Sequence, residues 1–181
     1  MTSKTNWGQI QQHMSSTELI PVTRRFEFDA GHRLLNHEGK CKHLHGHRYV
    51  ADVTVAATEL DSVGRVIDFG SLKQLIGGWI DAQWDHNMIL HQDDPLAKMW
   101  SGLVAVQEQI RSITKPIEEI FQGRAPYTMP FNPTAENIAK CLYKVAIELV
   151  KEPIIVVNVK VWETPNCSAG PYPYEPIIAL E

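Results

Sequence analysis

The 181-residue chain is poor in cysteine, in long apolar runs and in net positive charge, and each shortage removes a class of protein. Its three cysteines, Cys41, Cys141 and Cys167, form an odd and sparse set. They imply no disulfide framework, and a reducing cytoplasmic compartment fits them. No apolar run approaches the roughly 18 residues that a membrane-crossing helix needs, so no membrane partner is expected. A net charge of −4 supplies no basic stripe for nucleic acid. The glycine-rich loop that cradles nucleotide phosphates is missing, as are internal repeats and low-complexity tracts. The opening stretch, MTSKTNWGQIQQHMSSTELI, lacks the apolar centre of a secretory leader. It reads as a polar arm over residues 1–20, with 21–181 as a single domain. The composition, 44% hydrophobic and 21% charged, is that of an ordinary soluble globular protein.

What the chain does have is concentrated histidine. The segment FEFDAGHRLLNHEGKCKHLHGHRYVADVTV holds His32, His45 and His47, with Cys41 four residues before the second of these. Residues two apart in a strand project from one face, so His45 and His47 can reach a single metal ion. His32 ends another alternating run, in parity with Phe26, Phe28 and Ala30, and becomes a third ligand if that run is the neighbouring strand. Three imidazoles leave the fourth corner of a tetrahedral zinc open, the catalytic arrangement rather than the structural one. An HxH pair alone often marks nothing more than a polar strand face. Gly46 between the pair adds to the metal reading, because a residue without a Cβ allows another group to come close.

Residues Thr23 to His32 alternate, as do His45 to Ala57, where Tyr49, Ala51, Val53 and Val55 share one parity. They predict a strand pair joined by a loop containing Asn36, Gly39 and Lys40. Asp68 is placed to cap a helix carrying Leu72, Leu75, Ile76, Trp79 and Ile80, which Gly77-Gly78 weaken. The stretch His91 to Pro130 reads as an elaborated loop over the core. It has room for a helix from Leu96 to Ser112 and a shorter one from Pro116 to Phe121. A second long helix starts at Asn132-Pro133-Thr134, with the proline in its first turn and Glu136 near its positive end. Ile138, Ala139, Leu142, Ala146 and Leu149 form its buried stripe, with Cys141 in the core.

The last strong strand runs from Ile154 to Glu163, and Glu163 shares the side of Ile155, Val157, Val159 and Val161. A carboxylate extending an apolar row is costly unless something binds it. NCSAGPYP, with Cys167, then reads as a loop, and a short strand follows near Ile177. The order of elements predicts an α+β fold with helices segregated on one face of a sheet.

FDAGHRL, CKHLHGHRY, GRVIDFGSLK, WDHNMIL, NPTAENIA and VWET occur in this order between Phe26 and Thr164. Together they resemble the 6-pyruvoyltetrahydropterin synthase and 6-carboxytetrahydropterin synthase family. The CxxxHGH form is more similar to the carboxytetrahydropterin branch, whereas the pyruvoyl branch usually reads CxxPxGHGH. The resemblance implies a four-stranded antiparallel sheet with two helices on one face. It also implies subunits joined edge to edge into a barrel, as a homohexamer of two trimers in the tunnelling fold. Edge pairing of that kind removes exposed strand edges.

The resemblance further implies a Zn2+ lyase acting on 7,8-dihydroneopterin triphosphate. Its products are 6-carboxy-5,6,7,8-tetrahydropterin, acetaldehyde and triphosphate, on the path to queuosine and other 7-deazaguanine compounds. In residue terms it makes His32, His45 and His47 the zinc ligands and Cys41 the proton-abstracting thiol. Asp85 and His86 become a proton-relay pair, and Glu163 the carboxylate that anchors the pterin ring. Thr134 and Glu136 are candidates for the border of the ring pocket, although helix capping and the helix dipole account for them as well. Arg33, Arg48 and Lys160 are candidates for the triphosphate. Two rival readings share these residues: 6-pyruvoyltetrahydropterin synthesis, and a non-catalytic pterin- or metal-binding module.

Overall fold

Alternation becomes two long paired strands in the computed structural model, which describes residues 18–107 and 124–173. Strand β1 (Ile20–His32) and strand β2 (His45–Ala57) pair antiparallel from Ile20 opposite Ala57 to His32 opposite His45. Their connection carries a 3-10 turn at Lys40–Lys42. Helix α1 follows in three stretches: an α turn at Phe69–Leu72, a π turn at Lys73–Gly77 and a final α stretch at Gly78–Gln83. Asp68 caps it as expected, accepting from the Gly70 and Ser71 amides, and the π turn begins just ahead of the glycine pair and ends on Gly77. Strand β3 (Asn87–His91), helix α2 (Pro95–Gln107), strand β4 (Tyr127–Met129), helix α3 (Ala135–Leu149), strand β5 (Ile155–Thr164) and strand β6 (Cys167–Tyr172) complete the chain order.

The described sheet has six strands in the order β4-β3-β1-β2-β5-β6, which corrects the expected four-stranded antiparallel sheet. It is mixed. β3 lies parallel to β1, and β4 parallel to β3, because helical segments return the chain to the same end of the sheet between them. The stretch expected to be a loop over the core therefore contributes β4 and helix α2. The short helix expected at 116–121 lies outside the described residues, as do the arm up to residue 17 and the strand expected near Ile177. NCSAGPYP is not a loop but mostly edge strand β6, which pairs antiparallel with β5. An edge position tolerates Pro171, since its missing N–H is not needed by a further neighbour.

One face of the sheet is apolar. Phe26, Phe28 and Ala30 of β1, Tyr49, Ala51, Val53 and Val55 of β2, and Val159 and Val161 of β5 are buried there. Leu72, Ile76 and Ile80 of α1 and Ile138, Ala139, Leu142 and Ala146 of α3 belong to the same core. Each large side chain fully buried in this way contributes about 1.5–3 kcal/mol. The opposite face is polar, with Arg25 bonded to Asp52 at 2.8 Å and Arg48 to Glu27 at 2.6 Å. Among the described residues no helix is long and apolar enough to cross a membrane.

Candidate active site and metal centre

The strand register builds the histidine cluster. His32 faces His45 directly across β1 and β2, and His47 faces Ala30 two pairs further along. All three side chains share the helix-covered face, and their ligand nitrogens lie within 4.8 Å of one another. His32 is buried, at 1% exposure, while His45 and His47 are partly open. Gly46 contributes by its lack of a side chain, because a Cβ there would come within 3.0 Å of the Ala30 carbonyl oxygen.

Hydrogen bonding sets the ring tautomers. His32 Nδ1 donates to the Pro133 carbonyl at 2.9 Å, and His45 Nδ1 donates to the His43 carbonyl at 2.7 Å. A carbonyl only accepts, so each ring carries its proton on Nδ1 and presents an Nε2 lone pair to the cluster. The two Nε2 atoms stand 3.1 Å apart. Burial, opposed by the Pro133 bond and aided by the neighbouring His45 and His47, lowers the His32 pKa to about 4. With its proton on Nδ1, a neutral imidazole has none on Nε2 for that short contact, and a cation between two such lone pairs would satisfy both. Nitrogens about 2.0–2.1 Å from a tetrahedral zinc are about 3.3 Å apart, close to this spacing. The donor set and its second bonds to carbonyls thus fit a metal ion.

Glu163 flanks the cluster from β5. Glu163 Oε1, near the end of β5, lies 3.5 Å from His32 Nε2 and 3.9 Å from His47 Nε2. The carboxylate that extends the apolar row of β5 thus faces the histidines. Burial lowers the His47 pKa, and the Glu163 carboxylate opposes that. Cys41 sits partly buried on the 3-10 turn, and its carbonyl accepts the Leu34 amide at 2.8 Å.

Beneath them lies Tyr49, a residue that the sequence reading placed only in the core row. Its ring packs edge-on against His32 and His47, with centroids 5.8 and 5.6 Å apart. Burial raises the Tyr49 pKa, and the Glu163 and Cys41 charges add to the rise, so the phenol stays neutral. Its parity with His45 and His47 was the available signal.

Asp85 and His86 form the expected pair, with His86 Nδ1 2.8 Å from Asp85 Oδ2. Adjacent side chains diverge in a strand, and here a left-handed His86 (φ 53) turns them together. The pair is clamped to β1: the Asp29 amide donates to Asp85 Oδ1 at 2.9 Å, and the His86 amide to the Asp29 carbonyl at 2.7 Å. The bond to Asp85, with its charge, raises the His86 pKa. For Asp85, burial acts upward, but the Asp29 amide and His86 outweigh it and hold the carboxyl below its usual range. His86 lines a cleft with Asp29, Gly31, Arg48 and Met88. Among the described residues, no hydrogen bond or ion pair joins Asp85 or His86 to Cys41 or Glu163.

The remaining candidates separate. Thr134 is the N-cap of α3, accepting from the Asn137 amide, with Glu136 in the first turn. Neither residue lines the clefts that border His47 and Glu163. Pro133 precedes the cap instead of opening the helix, and its carbonyl holds His32. Of the cations, Arg33 is bonded to buried Asp94 at 2.7 and 2.5 Å, and Arg48 to Glu27. Lys160 Nζ stacks 4.2 Å from the Trp162 ring centroid.

Known proteins share this chain's sequence and fold. The family model described as 6-pyruvoyl tetrahydropterin synthase matches residues 21–172. A protein from Rickettsia bellii named 6-carboxy-5,6,7,8-tetrahydropterin synthase is 43% identical over 151 residues, covering 82% of this chain and 97% of that protein. The crystal structure of an uncharacterized protein from Wolinella succinogenes superposes with a TM-score of 0.71 at 26% identity, covering 84% of this chain and 97% of that one. The Caenorhabditis elegans 6-pyruvoyl tetrahydropterin synthase shares the fold, with a TM-score of 0.55 at 22% identity over 84% of this chain and 94% of its own. A match that takes in both histidine strands, the Asp85–His86 turn and Glu163 makes this chain a member of the 6-pyruvoyl tetrahydropterin synthase family.

Proposed function

We propose that this protein is a zinc-dependent carbon-carbon lyase that converts 7,8-dihydroneopterin triphosphate to 6-carboxy-5,6,7,8-tetrahydropterin. Acetaldehyde and triphosphate are the other products, and the reaction serves the route to queuosine and related 7-deazaguanine compounds. The observation that carries the reading is the cluster of three imidazoles, two of them with outer nitrogens committed to carbonyls, with Glu163 beside it. The name of the Rickettsia bellii relative supports the carboxytetrahydropterin branch.

His32, His45 and His47 would hold the zinc, which when bound supplies Lewis acidity toward the hydroxyl-bearing side chain of the pterin. Cys41, as thiolate, accepts a proton from a side-chain carbon. Glu163 is the anchor for the pterin: its two oxygens match the paired N–H groups of the ring's amidine-like edge. Asp85 orients His86 and keeps it protonated to higher pH, so that His86 can give or take a proton on the substrate. In the homohexamer proposed for this chain, a neighbouring copy brings that pair to the Cys41 site.

The test is product analysis. Zinc-loaded protein incubated with 7,8-dihydroneopterin triphosphate should release acetaldehyde and a 6-carboxy product by mass spectrometry. A retained three-carbon diketo side chain would instead assign pyruvoyl chemistry. Turnover by Cys41→Ala and His86→Ala equal to the parent's would refute the proton carriers. Tight pterin binding with no turnover would identify a binding module.

A further inference from the structure

The β1–β2 connection lines a third pocket, separate from both clefts above. Its walls include Arg33, His37, Lys42 and His43, four nitrogen bases in a chain whose net charge is negative. Among the described residues, no ion pair engages Lys42, His37 or His43. Arg33 is different, since its Nε and one terminal nitrogen are spent on Asp94. The free cationic chemistry of this pocket therefore rests on Lys42, with the two imidazoles as neutral or charged donors.

The pocket is built, not merely exposed. His37 Nδ1 accepts the Gly39 amide at 2.8 Å, which fixes its proton on Nε2 as a donor. Asn132 clasps the loop from both sides, donating to the Leu35 carbonyl at 2.9 Å and accepting the Leu35 amide at 2.7 Å. The 3-10 turn is closed by the His43 amide bonded to the Lys40 carbonyl at 2.9 Å. Consecutive residues on such a turn point in different directions. Lys42 accordingly lines this pocket while Cys41, one residue earlier, does not. The lysine is therefore available to a ligand rather than serving as the partner of the thiol.

One residue, His43, links the pocket to the candidate metal centre. The His43 carbonyl that holds His45 Nδ1 belongs to the same residue whose imidazole lines the pocket. The pocket therefore adjoins the outer, Nδ1 side of the His45 ring. We propose that this pocket, through Lys42, His37 and His43, binds the polyphosphate tail of the substrate. The inference rests on the triphosphate substrate proposed above and assigns the residues that read it. Multiple anionic oxygens suit one ammonium and two ring N–H donors, each making a charge-assisted bond.

Inorganic tripolyphosphate is the probe. Calorimetric titration into the zinc-loaded full chain, with zinc content measured before and after because polyphosphates chelate, should show saturable binding at one site per chain. Lys42→Gln and His43→Gln should each weaken it about tenfold, the loss of one charge-assisted bond. Lys42→Arg should restore it. In turnover, Lys42→Gln should raise KM for the triphosphate while kcat stays within about twofold, the signature of lost substrate binding. Parent affinity in the Lys42→Gln/His43→Gln double variant would overturn the assignment. If tripolyphosphate binds as described but 7,8-dihydroneopterin triphosphate is not converted, the pocket stands and the proposed reaction falls.

Discussion

Replacing Asp94 by alanine strikes the joint between β1 and α2. Its side chain is fully buried, accepts from Arg33 Nε at 2.7 Å and Nη2 at 2.5 Å, and caps α2 by accepting the Leu96 amide at 2.8 Å. Losing the cap costs about 1 kcal/mol. Stranding a wholly buried charge costs about 3–5 kcal/mol. Arg33 is 27% exposed and can recover water, which reduces the pair's share to about 2 kcal/mol. Urea unfolding should then place Asp94→Ala about 3 kcal/mol below the parent. Asp94→Asn, which keeps an acceptor for the cap but loses the charge, should cost about 1–2 kcal/mol.

The pH dependence has a fixed sign. Burial acts to raise the Asp94 carboxyl, but the Arg33 bond and the Leu96 amide outweigh it and hold its pKa below the usual range. A folded value below the unfolded one stabilises above about pH 4 and is lost as pH falls through the folded value. The gap between parent and Asp94→Asn should therefore shrink below about pH 4. An Asp94→Ala protein within about 0.5 kcal/mol of the parent, or a gap equal at pH 3 and pH 7, would refute the reasoning.

Other expectations follow from the same contacts. The Tyr49 hydroxyl is buried with no hydrogen-bond partner among the described residues, so Tyr49→Phe should leave stability unchanged or raise it by up to about 1 kcal/mol. A loss above 1 kcal/mol in urea unfolding would mean that the hydroxyl has a partner. Zinc at about 100 times its dissociation constant should stabilise the fold by about 2.7 kcal/mol, a gain that a chelator removes and His45→Ala abolishes. An unchanged melting temperature on chelation would contradict the metal centre. The His86 ring should titrate above the ordinary imidazole value in nuclear magnetic resonance, because the Asp85 bond and charge favour its protonated form. Asp85→Asn should bring the midpoint down toward about 6.5, and an unmoved midpoint would remove the pair's electrostatic basis.

How much was legible in the sequence depended on how local the determining physics was. β1 and β2 were readable because burial of one face writes period-two alternation, and the same period placed three imidazoles together. Glu163 was legible as a carboxylate out of place in an apolar row. Strand β6 was hidden because glycine and proline mark loops elsewhere, while an edge position asks for few hydrogen bonds. Strand β4, three residues long and preceded by proline, left no period to read. Arg33 and Asp94 are 61 residues apart, and Asn132 lies 97 residues from the Leu35 it clasps. No local pattern encodes such partners.

The Asp85–His86 turn shows where composition stops and conformation takes over. A neighbouring Asp and His mean little until a positive φ folds one ring back onto the carboxylate, and nothing in the WDHN string demands that angle. Its cause is tertiary: reciprocal bonds to the Asp29 backbone hold the turn against β1. A left-handed non-glycine residue costs of order 1 kcal/mol, so the surrounding bonds have to repay it. They do so while leaving His86 exposed and protonatable, in a cleft that borders His47. A purely structural turn would be served as well by glycine or asparagine at that position, without the imidazole. Strain retained to aim a titratable ring is the physical support for the proposed role of this pair, while among the described residues no hydrogen bond or ion pair ties it to Cys41.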